Sequence, residues 1–271
     1  MPDRHPVVAG RYYPGDPAPL RREVESLLGS AREGLTPLMV MLPHAGYVFC
    51  GSIIGETLSK LRLPRSVFLL GPNHSGRGRP LAVWPDGKWF TPLGAVEVDA
   101  ELTARCLNTA AGFEANLDAH AAEHSLEVLL PFLQCHTPGI RIAPVVVALN
   151  DMEGLRVAGE GLARCIREEE EAGRPVALVV SSDMNHFDNQ ELTVRKDTRA
   201  LVPLLALSPE ELFWTVRSER ISMCGVCPAT LALFAANALG AREAKLAAYG
   251  TSAAASGDTG RVVGYAGAYV C

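Results

Sequence analysis

No apolar stretch among the 271 residues approaches the roughly 20 needed to cross a bilayer, so no transmembrane helix is predicted. Residues 1–10 also lack the apolar core of a signal peptide, and a cytoplasmic protein without membrane contact is expected. Clustered basic charge is scarce. The formal net charge is −5, and lysines and arginines are scattered apart from small groups such as Arg77 with Arg79, which argues against a nucleic-acid footprint. The seven cysteines are odd in number and spread along the chain, unlike the dense even framework of a small secreted domain. Reduced, mostly buried thiols follow. There is no Gly-x-Ser-x-Gly elbow, no Walker phosphate loop and no dinucleotide-binding glycine fingerprint, which removes three large enzyme classes. Internal repeats and linker-like segments are absent too, so residues 1–271 are expected to form one domain.

What is present is an α/β pattern. Short β-rich apolar runs at 38–42, 66–70, 140–148, 176–180 and 262–270 alternate with segments of three- and four-residue apolar spacing at 52–61, 123–135, 154–172, 195–205 and 229–239. Strands joined by crossover helices make a layered α/β domain with a mostly parallel central sheet. The acidic run 168–171, at the end of a long helical segment, reads as a solvated face.

Three of the predicted strands run straight into loops that carry metal-capable side chains. These are Pro43-His44-Ala45-Gly46-Tyr47, Gly71-Pro72-Asn73-His74-Ser75-Gly76 and Ser181-Ser182-Asp183-Met184-Asn185-His186. Ligands of parallel α/β sheets bind beyond the carboxyl ends of the strands, so His44, His74, Asp183 and His186 are expected in one polar cleft. Glycine and proline in the first two loops fix tight turns that hold a side chain in one direction. Two further segments, 118–127 with His120, Glu123, His124 and Glu127, and Cys224-Gly225-Val226-Cys227-Pro228, each lead into a predicted helix. A helix start favours thiolates, so a Cys224 of lowered pKa would serve as a soft ligand. For Glu123 and Glu127, helix capping and a functional role are equally open. The spacing of Cys224 and Cys227 also matches a redox dithiol or half a structural zinc site, but the chain has no second pair to complete the latter.

Read together and in order, Pro-His-Ala-Gly-Tyr, Gly-Pro-Asn-His, Glu-His-Ser-Leu-Glu, Ser-Ser-Asp-x-x-His and Cys-Gly-x-x-Pro resemble the Memo family (Memo-like, AmmeMemoRadiSam system protein B). The likeness runs from Val7-Val8-Ala9-Gly10-Arg11-Tyr12-Tyr13-Pro14, through Trp89-Phe90-Thr91-Pro92-Leu93-Gly94, to Gly264-Tyr265-Ala266-Gly267. The resemblance implies a fold similar to the class III extradiol ring-cleaving dioxygenases (LigB-like), which hold non-haem iron with two histidines and a carboxylate. By position it implies His44 and His74 as metal ligands, with Cys224 in the place of the carboxylate. A thiolate there changes metal preference and redox behaviour, so ring cleavage is not implied; iron(II) or copper is the expected metal, with zinc as the alternative.

The expected function is that of a metal-dependent, dioxygenase-like oxidoreductase. His186 would act as acid or base, Asp183 would orient it by accepting a hydrogen bond, and His124 would donate from the cleft wall. The alternatives are a metallohydrolase, and a non-catalytic module that binds metal or peptide in signalling. A small-molecule or peptide ligand is expected in each case, and family association implies AMMECR-type and radical-SAM protein partners.

Overall fold

A computed structural model describes residues 3–29 and 34–271, and its strands join in one mixed sheet. They are β1 (Met39–Leu42), β2 (Ser66–Pro72), β3 (Leu81–Val83), β4 (Lys88–Thr91), β5 (Gly94–Val98), β6 (Glu114–Ala115), β7 (Arg141–Val147), β8 (Val176–Ser181), β9 (His186–Asp188), β10 (Ala244–Thr251) and β11 (Val262–Val270). The main path runs β10-β11-β1-β8-β2-β7-β3-β6. Every residue of β1, β2 and β8 is buried, as expected of strands covered on both faces. Successive side chains point to opposite faces and divide between two cores. Met39, Met41, Phe68, Leu70, Leu178 and Val180 face helices Met152–Glu171 and Val226–Ala238. Val40, Leu42, Val67, Leu69 and Val179 face helices Pro17–Leu28, Tyr47–Leu58 and Leu130–His136. No helix among the described residues is long and apolar enough to cross a membrane.

The sheet is less parallel than the sequence pattern implies. Its centre, β1-β8-β2-β7, is parallel. The flanks are largely antiparallel: β11 runs against both β1 and β10, and β3 against β7. The reason is connection length, since β10 reaches β11 through a short helix, Ala253–Ser256, and a loop, without the crossover helix that a parallel return needs.

Local differences have equally local causes. The segment expected as a helix over 123–135 is a turn, a 3-10 stretch Glu127–Leu129 and then the helix Leu130–His136, which carries Pro131 in its first turn. Helices Pro17–Leu28, Ala100–Thr109 and Pro209–Ser218 were not read from apolar spacing, although Asp16 and Asp99 cap the first two by accepting backbone N–H bonds. The acidic run is not wholly solvated. Glu169 is buried and accepts from Arg105 at 2.6 Å and Arg174 at 2.5 Å.

Because β1, β8 and β2 are parallel neighbours, the loops after Leu42, Ser181 and Pro72 leave the same edge of the sheet side by side. That edge carries the polar residues singled out above.

Candidate metal centre

His44 follows β1 directly and is buried. Its backbone N–H donates to Asp183 Oδ1 at 2.7 Å, tying the loop after β1 to the loop after β8. Its Nδ1 lies 2.7 Å from Ser181 Oγ. The Ser181 hydroxyl proton is already given to the Ser125 carbonyl at 2.7 Å, so Ser181 accepts and His44 Nδ1–H donates. The lone pair is thereby left on His44 Nε2, 3.4 Å from Cys224 Sγ.

His74 reaches the same tautomer by another route. Glu123 accepts from its backbone N–H at 2.6 Å and from its Nδ1 at 2.8 Å, so Nε2 is the free atom. A carboxylate behind a histidine in this way fixes its ring and raises its basicity, as commonly seen behind metal-binding histidines. Glu123 also accepts from the Ser125 backbone N–H at 2.9 Å. Burial works to raise its pKa, but the hydrogen bond and charge of His74 and the two amides outweigh it and hold the carboxyl down at about 2.

Cys224 stands just before Gly225, the residue that precedes helix Val226–Ala238. A Cβ on Gly225 would lie 2.3 Å from Ser182 Cβ, so only glycine lets this loop close on the strand end. The Asp183 backbone N–H donates to Cys224 Sγ at 3.2 Å. The lowered thiol pKa expected from the helix start is not found: burial and the neighbouring Asp183 carboxylate push it well up. Without a cation, Cys224 is a thiol.

One donor atom each from His44, His74 and Cys224 lie within 4.8 Å of one another, two nitrogens and a sulfur converging on one point. His74, Glu123 and His124 form a second such group, though Glu123 is already engaged by three N–H donors. Burial, followed by the fields of His74 and His124, lowers the His44 pKa well below its ordinary value. For His74 the burial penalty is overcome by Glu123, and its pKa is raised.

The three remaining sequence candidates border the same cleft of about 380 Å³, lined also by Arg11, Tyr12, Phe49, Val263 and Tyr265. His124 stacks on His74 with ring centroids 4.7 Å apart and meets Tyr12 edge-on at 5.1 Å. Asp183 is buried, and that burial raises its pKa against the opposing His44 amide bond. The expected bond from His186 to Asp183 is replaced. Ser222 holds His186 instead, its hydroxyl accepting from the backbone N–H at 2.7 Å and its carbonyl accepting from Nδ1–H at 2.9 Å, which frees Nε2. Cys227 has other neighbours, Asn150 and Arg217.

Sequence reasoning missed the supports. Glu127 neither caps a helix nor enters the cleft: fully buried, it accepts from Arg4 Nη1 at 2.9 Å, from the backbone of Val7 and Val8, and from Tyr13 Oη at 2.7 Å. It thereby fastens the N-terminal segment that brings Arg11 and Tyr12 to the cleft. Ser125, Ser181 and Ser222 carry no signal in sequence beyond lying in the right loops.

A family model described as Memo-like protein matches residues 4–269. A MEMO1 family protein of Methanopyrus kandleri is 37% identical, the match covering 97% of this chain and 97% of that protein. One of Aquifex aeolicus is also 37% identical, with 97% of each chain covered. Among solved structures, the crystal structure of an uncharacterized protein from Escherichia coli K12 matches with a TM-score of 0.56 over 87% of this chain and 100% of that chain. At 14% identity the likeness is one of fold.

Proposed function

The chain belongs to the Memo-like protein family, and from that premise we propose that its cleft is a metal centre held by His44, His74 and Cys224, serving a metal-dependent oxidoreductase related in fold to the class III extradiol dioxygenases. The observation that carries this reading is the shared tautomer. Both histidines commit Nδ1–H to a buried acceptor and leave Nε2 free, and each has a ring nitrogen within 4.8 Å of Cys224 Sγ. A histidine kept only for packing has no need of that arrangement twice over.

Two imidazoles and a thiolate are a borderline-to-soft donor set that suits iron(II) or copper, with zinc also accommodated. Bound there, iron(II) or copper would supply redox and Lewis-acid chemistry, and zinc the latter alone. The chain's own groups do the rest. His186, its Nδ1–H committed to Ser222, accepts a proton from substrate at Nε2. His124 offers a hydrogen bond from the wall beside His74, and Asp183 fixes the His44 main chain. Tyr12, Phe49 and Tyr265 line the cleft and suit a small organic substrate with an apolar body.

The test is metal content by elemental mass spectrometry on untagged protein purified without oxygen, comparing wild type with Cys224→Ser. Near-stoichiometric iron or copper that falls sharply in the variant is the expected result. Zinc in its place would move the reading to hydrolysis, and a metal-free wild type would overturn it.

A further inference from the structure

Beside the cleft lies a second cavity of about 450 Å³, lined by Phe49, Phe187, Ser252, Ser256, Asp258, Arg261, Val263 and Tyr265. Phe49, Val263 and Tyr265 line both, so the two are neighbours that share these side chains. His186 lines the first and its neighbour Phe187 the second, the two side chains parted by a bulge where β9 pairs with β11.

Two features of the second cavity set an apolar ring and a cation together at its mouth. Phe187 is the extra residue of a bulge where β9 pairs with β11; it adopts φ 67° and is left 61% exposed. Bulges of this kind re-aim a side chain and are over-represented beside functional sites. The Arg261 guanidinium lies 4.5 Å over that ring, and among the described residues it has no carboxylate partner and no hydrogen bond. A stacked guanidinium keeps its planar fork of donors free for a bidentate acceptor.

We propose that this second cavity is a binding chamber for the far end of an elongated organic monoanion, a carboxylate with an apolar body. Arg261 grips the carboxylate, and Phe49, Val263 and Tyr265 carry the body toward the metal cleft. The Ser252 hydroxyl accepts from the Val263 backbone N–H at 3.1 Å and keeps its own proton to donate. Asp258 shares the chamber, one carboxylate oxygen engaged by the Gly260 N–H at 2.8 Å. Its charge disfavours a dianionic phosphate and leaves a single carboxylate as the better match for one arginine. The inference rests on the metal-centre reading only for which end of the ligand points inward, because the chamber uses none of His44, His74 or Cys224.

The test is calorimetric titration of the full chain, as purified and after chelator treatment, with 5-phenylpentanoate and its matched probes 5-phenyl-1-pentanol and 5-phenylpentyl phosphate. Wild type is compared with Arg261→Gln and Arg11→Gln, both exposed positions, with melting temperatures confirming that the variants fold. The carboxylate is expected to bind more tightly than the alcohol or the phosphate. Arg261→Gln should weaken it by about tenfold or more and Arg11→Gln by less than about threefold. Unchanged affinity in Arg261→Gln, loss in Arg11→Gln instead, tighter phosphate binding, or no carboxylate binding would each overturn the proposal. A chain that takes up no metal but keeps Arg261-dependent carboxylate binding would sink the metal-centre reading and leave the chamber standing.

Discussion

His120 and His124 stand four residues apart in one segment and end in opposite surroundings. His120 is fully buried, edge-on to Trp84 and Trp89, with Nε2 bonded to the Ala82 carbonyl at 3.0 Å and Nδ1 without a partner among the described residues. His124 lies against His74 and Tyr12 on the wall of the cleft. The same side chain is core packing in one place and cleft wall in the other, and the neighbours decide which. His120 lies in the short helix Asp118–Ala121, and the chain has left that helix before His124.

The largest effect on this pair should come from the anchor beneath both. Glu127→Ala would leave Arg4 buried without its counter-charge and release Val7, Val8 and Tyr13, at a cost of about 3–5 kcal/mol in urea unfolding. Arg4 also donates to the carbonyls of His120 and Glu123, so a small loss would mean that the segment is held by packing alone.

The next effect belongs to the buried member. Burial, despite the Ala82 hydrogen bond, holds the His120 pKa down at about 3, whereas an unfolded histidine titrates near 6.5. Between those values the unfolded chain binds the extra proton, so stability falls as pH drops from 6.5 toward 3, by up to about 1.4 kcal/mol per pH unit. Unfolding curves between pH 7 and 4.5 should show this slope, to which the buried His44 adds with the same sign, and His120→Phe should lessen it while metal content is unchanged. An equal slope in the variant would assign the acid sensitivity elsewhere.

Smaller still, Glu123→Gln should weaken metal retention about 10–100-fold in a chelator competition, because His74 loses the carboxylate behind it. Least of all, His124→Phe should shift stability by under about 0.5 kcal/mol, since its ring is part of the cleft wall and outside the core. A loss of several kcal/mol there would place His124 with His120 as a structural residue.

Much of the fold was legible because it follows from short-range pattern. Met39-Val40-Met41-Leu42 and Val176-Ala177-Leu178-Val179-Val180 read as strands, and they lie paired at the centre of the sheet. The antiparallel return of β11 was not legible from its own apolar run, which looks the same in either direction. The loop residues His44, His74, Asp183, His186 and Cys224 were visible as metal-capable groups after strands or before a helix. Glu123, with helix capping as a competing reading, became specific only once the chain had turned it under His74.

The sequence by itself determined the strands at the centre of the sheet, β1, β2, β7 and β8, together with β11, and the polar loops that follow three of them; β3, β4, β5, β6, β9 and β10 were not legible. The legible features follow from side-chain alternation and turn chemistry within a few residues. Only the tertiary structure decided the tautomers of His44 and His74, the raised pKa of Cys224, the replacement of Asp183 by Ser222 behind His186, and the cavity under Arg261. Each depends on partners far apart in the chain, 180 residues for Cys224 and His44 and 49 for His74 and Glu123. Proton position and pKa are set by burial and by the nearest donors and charges, and those are known only when distant segments meet.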